Sequence, residues 1–129
     1  KKAQQETIRM KVRIGPFRKN RATRVEIEPY DTWSMDCTLA MIIHPMLVQL
    51  KATTHDYPGS LTEERWNEIL DEMIWAFENK SKGIDAGDMC ADKCSNFGDP
   101  VCKACLKETQ ERMTDAFKLF GEHYESLWD

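Results

Sequence analysis

The sequence predicts an α+β domain: an N-terminal two-stranded antiparallel hairpin followed by three helices, with a cysteine-rich loop before the last helix. Three observations predict it. Residues 7–14 alternate apolar and charged side chains, three later segments repeat apolar residues every three or four positions, and residues 83–100 follow neither period. The 129 residues and 15.0 kDa suit a single domain spanning 1–129. With 41% hydrophobic and 31% charged residues, the chain reads as globular rather than disordered.

In the first strand Ile8, Met10, Val12 and Ile14 share one face, and Arg9, Lys11 and Arg13 the other. Gly15-Pro16 stops it, a basic loop with Arg18, Lys19 and Arg21 follows, and Val25 and Ile27 resume the alternation until Pro29. Glu26 and Glu28 would then face the cations of the first strand. A cap at Asp31 or Thr32 opens the first helix, whose stripe Met35, Leu39, Ile42, Ile43, Met46, Leu47 and Leu50 is expected to be buried. Pro45 predicts a kink near His44, and the helix should end between Lys51 and Thr54.

Residues 55–59 form a turn. Ser60 and Glu63 have capping-box spacing ahead of a second helix through Trp66, Ile69, Leu70, Met73, Ile74 and Phe77 to about Asn79. Residues 83–100 are punctuated by glycine and aspartate and read as a loop in need of a staple. Asp99 and Pro100 suit the start of the last helix, with Leu106, Met113, Phe117, Phe120, Tyr124 and Leu127 as its stripe, reaching nearly to the end.

Four of the five cysteines, Cys90, Cys94, Cys102 and Cys105, fall within sixteen residues. Two close pairs across a short polar loop point to one tetrahedral zinc as a structural cofactor, free thiols and disulfides being the other two states open to them. Closed four-thiolate coordination leaves no place for a water, so such a site would serve folding rather than hydrolysis. Cys37 stands apart as a small core residue.

Catalytic constellations are weak. Cys37 and His44 lie seven residues apart, roughly 10 Å of helical rise, too far for proton transfer. Glu64, Glu68, Asp71 and Glu72 make a solvated acidic face, and His55 and His123 lack ligand partners. No phosphate-binding glycine loop, dinucleotide fingerprint or serine-hydrolase elbow occurs, so no catalytic residue and no small-molecule substrate is assigned.

Charge is unevenly spread. The net charge is −4, yet residues 1–24 hold nine Lys or Arg against Glu6, a balance of +8, leaving −12 for the remainder. Arg18, Lys19 and Arg21, beside Phe17, are the candidate nucleic-acid contacts, set against the simpler reading of a solvated hairpin tip. Tyr124, Leu127 and Trp128 and the stripes of the first helix offer an apolar surface for a protein partner or a second copy. The longest apolar run, residues 39–43, is five residues against the roughly 20 of a membrane helix. The charged N-terminus lacks the apolar core of a signal peptide, so a reducing cytoplasm is expected.

At MKVRIGPFRKN, VEIEPYDTWSMDCTLAMIIHPMLVQLKAT, DEMIWAFE and MTDAFKLFGEHYESLWD the chain resembles a group of small uncharacterised proteins encoded by tailed bacteriophages. The resemblance covers half to two-thirds of the chain and implies the cytoplasm of an infected bacterium, with no cofactor or catalytic residue to carry over. The chain departs from the family pattern at Cys37, where relatives often carry histidine, and across the cysteine cluster, where they carry a longer acidic segment. Residues 1–9 precede the start of the family pattern and are read as an extension. The function expected is a non-enzymatic protein-binding module, with a nucleic-acid accessory protein as the alternative.

Overall fold

A computed structural model describes residues 11–14, 23–53, 56–91 and 100–128. Two short strands, β1 (Lys11–Ile14) and β2 (Thr23–Glu26), precede a 3-10 turn at Pro29–Thr32 and four helices: α1 (Met35–Thr53), α2 (Glu63–Ser81), α3 (Ala86–Ala91) and α4 (Pro100–Glu122). A second 3-10 turn, Tyr124–Ser126, follows α4.

The packed body is helical, which overturns the α+β expectation. β1 and β2 pair antiparallel in the register Lys11 to Glu26 and Val12 to Val25, but among the described residues no helix lies against either strand. There is no sheet layer for helices to cover. The physical reason is size: the four described residues of each strand offer too little apolar surface to anchor three helices, and an isolated hairpin is marginal at best. Val25 and Ile27 accordingly stay exposed, at 52% and 62%. Glu26 stands opposite Lys11 in the register, as expected, and pairs with Arg24 of its own strand at 2.6 Å.

The first 3-10 turn is held by its own polar groups. Glu28 N–H donates to Asp31 Oδ2 at 2.8 Å, and the Thr32 hydroxyl donates to the Pro29 carbonyl. α1 then runs through Pro45 as one helix. Asp36 at its start pairs with Lys80 near the end of α2, and Lys51 at its end pairs with Asp71, so the two helices are antiparallel. Among the described residues, no helix is long and apolar enough to cross a membrane.

The N-cap of α2 is Thr62, not Ser60: the Thr62 hydroxyl accepts from Arg65 N–H at 3.1 Å. The helix continues two residues beyond the expected Asn79 and closes at Gly83, whose φ of 71° takes the left-handed conformation. Ile84 N–H donates to the Asn79 carbonyl and Gly83 N–H to the Lys80 carbonyl, the paired bonds of a Schellman stop.

The core lies between α1, α2 and α4. Ala40 and Leu47 meet Trp66, Ile69, Leu70, Met73 and Phe77, with Phe117, Phe120 and Leu127 packed against them. Phe77 sits at the centre of an aromatic cluster, its ring 5.2 Å from Phe117 and 4.9 Å from Phe120. His123 packs edge-on against Trp66.

Candidate functional site: the disulfide-closed helix pair and the outer face of α1

Part of the stretch read as a loop is the helix α3. Asp85 N–H donates to Asp88 Oδ2, and Asp88 N–H donates back to Asp85 Oδ1 at 2.8 Å, a reciprocal cap that starts the helix. The bond donated by the Asp88 amide holds the Asp85 carboxyl below its ordinary range. Six residues are too few to show a period, so only the Asp-x-x-Asp spacing could have announced α3.

α3 packs on α4, and there Cys90 is disulfide-bonded to Cys105, with Cα atoms 6.2 Å apart. This overturns the zinc expectation. Sulfurs bonded to each other are no longer thiolates able to hold an ion, and the described residues contain no group of three His, Cys, Asp or Glu placed for a metal. Each cysteine faces the other because the two helices run side by side, one sulfur per helix. Cys90 is fully buried and lies 3.5 Å from the Thr109 hydroxyl; Cys102 is buried as well. Cys94 lies outside the described residues, as do Arg18, Lys19 and Arg21. Cys37 is half-buried and carries a free thiol.

Beside the disulfide is a cleft of about 490 Å³ lined by Trp75, Met89, Cys105, Glu108, Thr109 and Arg112. Its chemistry is already spent internally. Arg112 forks onto Glu72, with Nη2 to Oε2 at 2.8 Å, and lies 3.8 Å above the Trp75 ring. Cys105 is oxidised. The cleft therefore unites α2, α3 and α4 but offers no nucleophile with a base. Nor does it gather Asp36, His44 and the carboxylates of α2: Asp36 is bound to Lys80, Glu72 to Arg112 and Asp71 to Lys51.

A smaller cleft of about 250 Å³ lies between the chain ahead of α2 and the C-terminal turn, lined by Asp56, Tyr57, Pro58, Ser126 and Trp128. The three aromatic and apolar residues expected at an interface divide here. Tyr124 and Trp128 are each 64% exposed, whereas Leu127 turns in and packs on the core.

Sequence reading named the stripes of the first helix as surface for a partner but did not resolve which side of α1 is covered. Met35, Leu39 and Met46, expected to be buried, are exposed, as are Met41 and Val48, while Ala40 and Leu47 carry the contact with α2. The helix is apolar nearly all round, so periodicity alone could not say which arc would be covered. Its two charges, Asp36 and Lys51, are both engaged by α2, leaving the opposite arc with none. The 3-10 turn extends this surface with Tyr30 and Trp33, stacked on each other and 78% and 85% exposed. Met35, Leu39 and Met46 lie on one arc of the helix and Met41 and Val48 on a second, about 150° away, with Pro45 and Gln49 exposed between them.

Comparison with protein-family models, with curated proteins and with solved structures finds no match to the chain.

Proposed function

We propose that the protein is a non-enzymatic binding module whose ligand is a protein docked on the outer face of α1. One observation carries this reading: a 19-residue helix exposes Met35, Leu39, Met41, Met46 and Val48 on a surface with no charge. A monomer gains nothing by leaving such a surface in water, where each half-exposed methionine or leucine forgoes about 1 kcal/mol of burial. Methionine is suited to the role, since its unbranched, polarisable side chain adapts to a partner's relief. The resemblance to phage proteins belongs to the same reading; the cytoplasm of an infected bacterium would be the place of action only with Cys90 and Cys105 reduced there, since a reducing compartment does not keep their disulfide.

The test compares two baits in an extract of a cell that makes the protein, the wild-type chain and Met41→Asp. A protein retained by the first and lost from the second supports the reading. Identical retention profiles would overturn it. The compartment is tested by alkylating thiols in intact cells before lysis. A cytoplasmic protein yields Cys90 and Cys105 as modified thiols, and a protected disulfide places the chain in an oxidising environment instead.

A further inference from the structure

We infer that the occupant of the α1 face is a second copy of this chain, joined about a two-fold axis with the two α1 helices antiparallel. The inference rests on the reading of α1 as a protein-binding face and names its partner.

The first argument is spacing. Met35, Leu39, Ile42 and Met46 follow one another at four, three and four residues, which places them within roughly 60° of one another around the helix. That is the pattern by which one helix sets side chains between those of another of the same kind. An isologous contact requires that a surface fit itself, and an uncharged apolar surface meets its copy without like-charge repulsion. Asp36 and Lys51 are out of the way because Lys80 and Asp71 hold them on the α2 side.

The second argument is area. Met35, Leu39 and Met46, with Tyr30 and Trp33 at the helix entrance, give each copy several hundred Å², of the order of the roughly 800 Å² per partner of a standard interface.

Charge decides the orientation. The first 24 residues carry a balance of +8 and lead into the N-terminal end of α1. A parallel pair would set the two points where these positive segments enter α1 side by side. An antiparallel pair separates them by the length of α1, about 28 Å, several times the screening length of about 8 Å at physiological salt.

The experiment is the molar mass of the full chain in solution, by light scattering across a concentration series, for wild type and Met46→Lys. Met46 is 60% exposed in the single chain, so the substitution leaves its fold intact, which circular dichroism checks. The expected result is a wild-type mass of twice 15.0 kDa and a variant whose dimer dissociation constant is raised at least about 100-fold by the lysine buried at the contact. A wild-type mass of 15.0 kDa at every concentration overturns the inference, while the two-bait comparison still decides on protein binding separately. A dimer that persists unchanged in Met46→Lys also overturns it, since the contact would then lie elsewhere.

Orientation is read by mixing Met35→Cys and Met46→Cys chains, each also carrying Cys37→Ser, and mapping the cross-links by mass. Antiparallel pairing gives the 35-to-46 disulfide. Links of 35 to 35 and 46 to 46 would refute the orientation.

Discussion

The carboxylate of Asp36, in the first turn of α1, lies 2.7 Å from the ammonium of Lys80, in the last turn of α2. With Lys51 and Asp71 at the opposite end, this pair sets the register of the two longest-packed helices and draws all of the charge on α1 to one side. Two exposed ion pairs thus have a consequence larger than their own energies: they leave the opposite side of α1 uncharged.

Asp36→Asn should lower stability by about 0.5 kcal/mol or less at neutral pH, because the Asp36 side chain is 58% exposed and solvent screens the pair. The hydrogen bond from Lys80, followed by that from the Cys37 amide, holds the Asp36 carboxyl below its ordinary value of 3.8. A depressed carboxylate contributes stability above the unfolded value and loses it as pH falls through the folded one. Denaturant midpoints of wild type and variant should therefore differ at pH 7 and converge as the pH falls below 3.8 and then through the folded value beneath it. A gap unchanged at low pH would show that the pair is not its source.

Breaking the Cys90–Cys105 disulfide should cost about 3 kcal/mol, the entropy released when a loop of 15 residues is no longer closed. Cys105→Ser and a reducing agent should lower the thermal midpoint alike. A chelator should leave it unchanged. A chelator-sensitive midpoint would restore a metal to the cluster.

Gly83→Ala should destabilise by about 1 kcal/mol. Nothing lies within 4 Å of the position its methyl would take, so the whole effect comes from the φ of 71° that the end of α2 requires. An unaltered denaturant midpoint would mean that the helix stops by other means.

Met73→Ala and Met46→Ala make a matched pair. Met73 is fully buried in α2 and should cost 2–5 kcal/mol when truncated, as the surroundings close only partly over the cavity. Met46, on the uncovered face, should change the stability of the single chain by less than about 0.5 kcal/mol. Because the two have the same side chain, the contrast isolates burial. A similar loss at both positions would place Met46 in the core.

The amino-acid sequence by itself determined the three long helices, because period and breakers are local. Trp66, Ile69, Leu70, Met73 and Phe77 recur on one arc and all are buried, and the last helix begins at Pro100, which its fixed φ suits to a first helical position. It also marked the cysteine cluster as the staple of the region between α2 and α4. Tertiary structure decided what the staple is, since pairing depends on which sulfur of α3 meets which of α4, a relation between helices that spacing along the chain does not contain. The short helix α3 rests on the Asp85 and Asp88 cap and on packing against α4 rather than on periodicity. Above all, packing chose which side of α1 is covered. A helix apolar nearly all round is compatible with burial on any arc, and packing against Trp66, Ile69, Leu70, Met73 and Phe77, in the register that the Lys80 and Asp71 pairs share, covered Ala40 and Leu47 and left Met35, Leu39 and Met46 facing out.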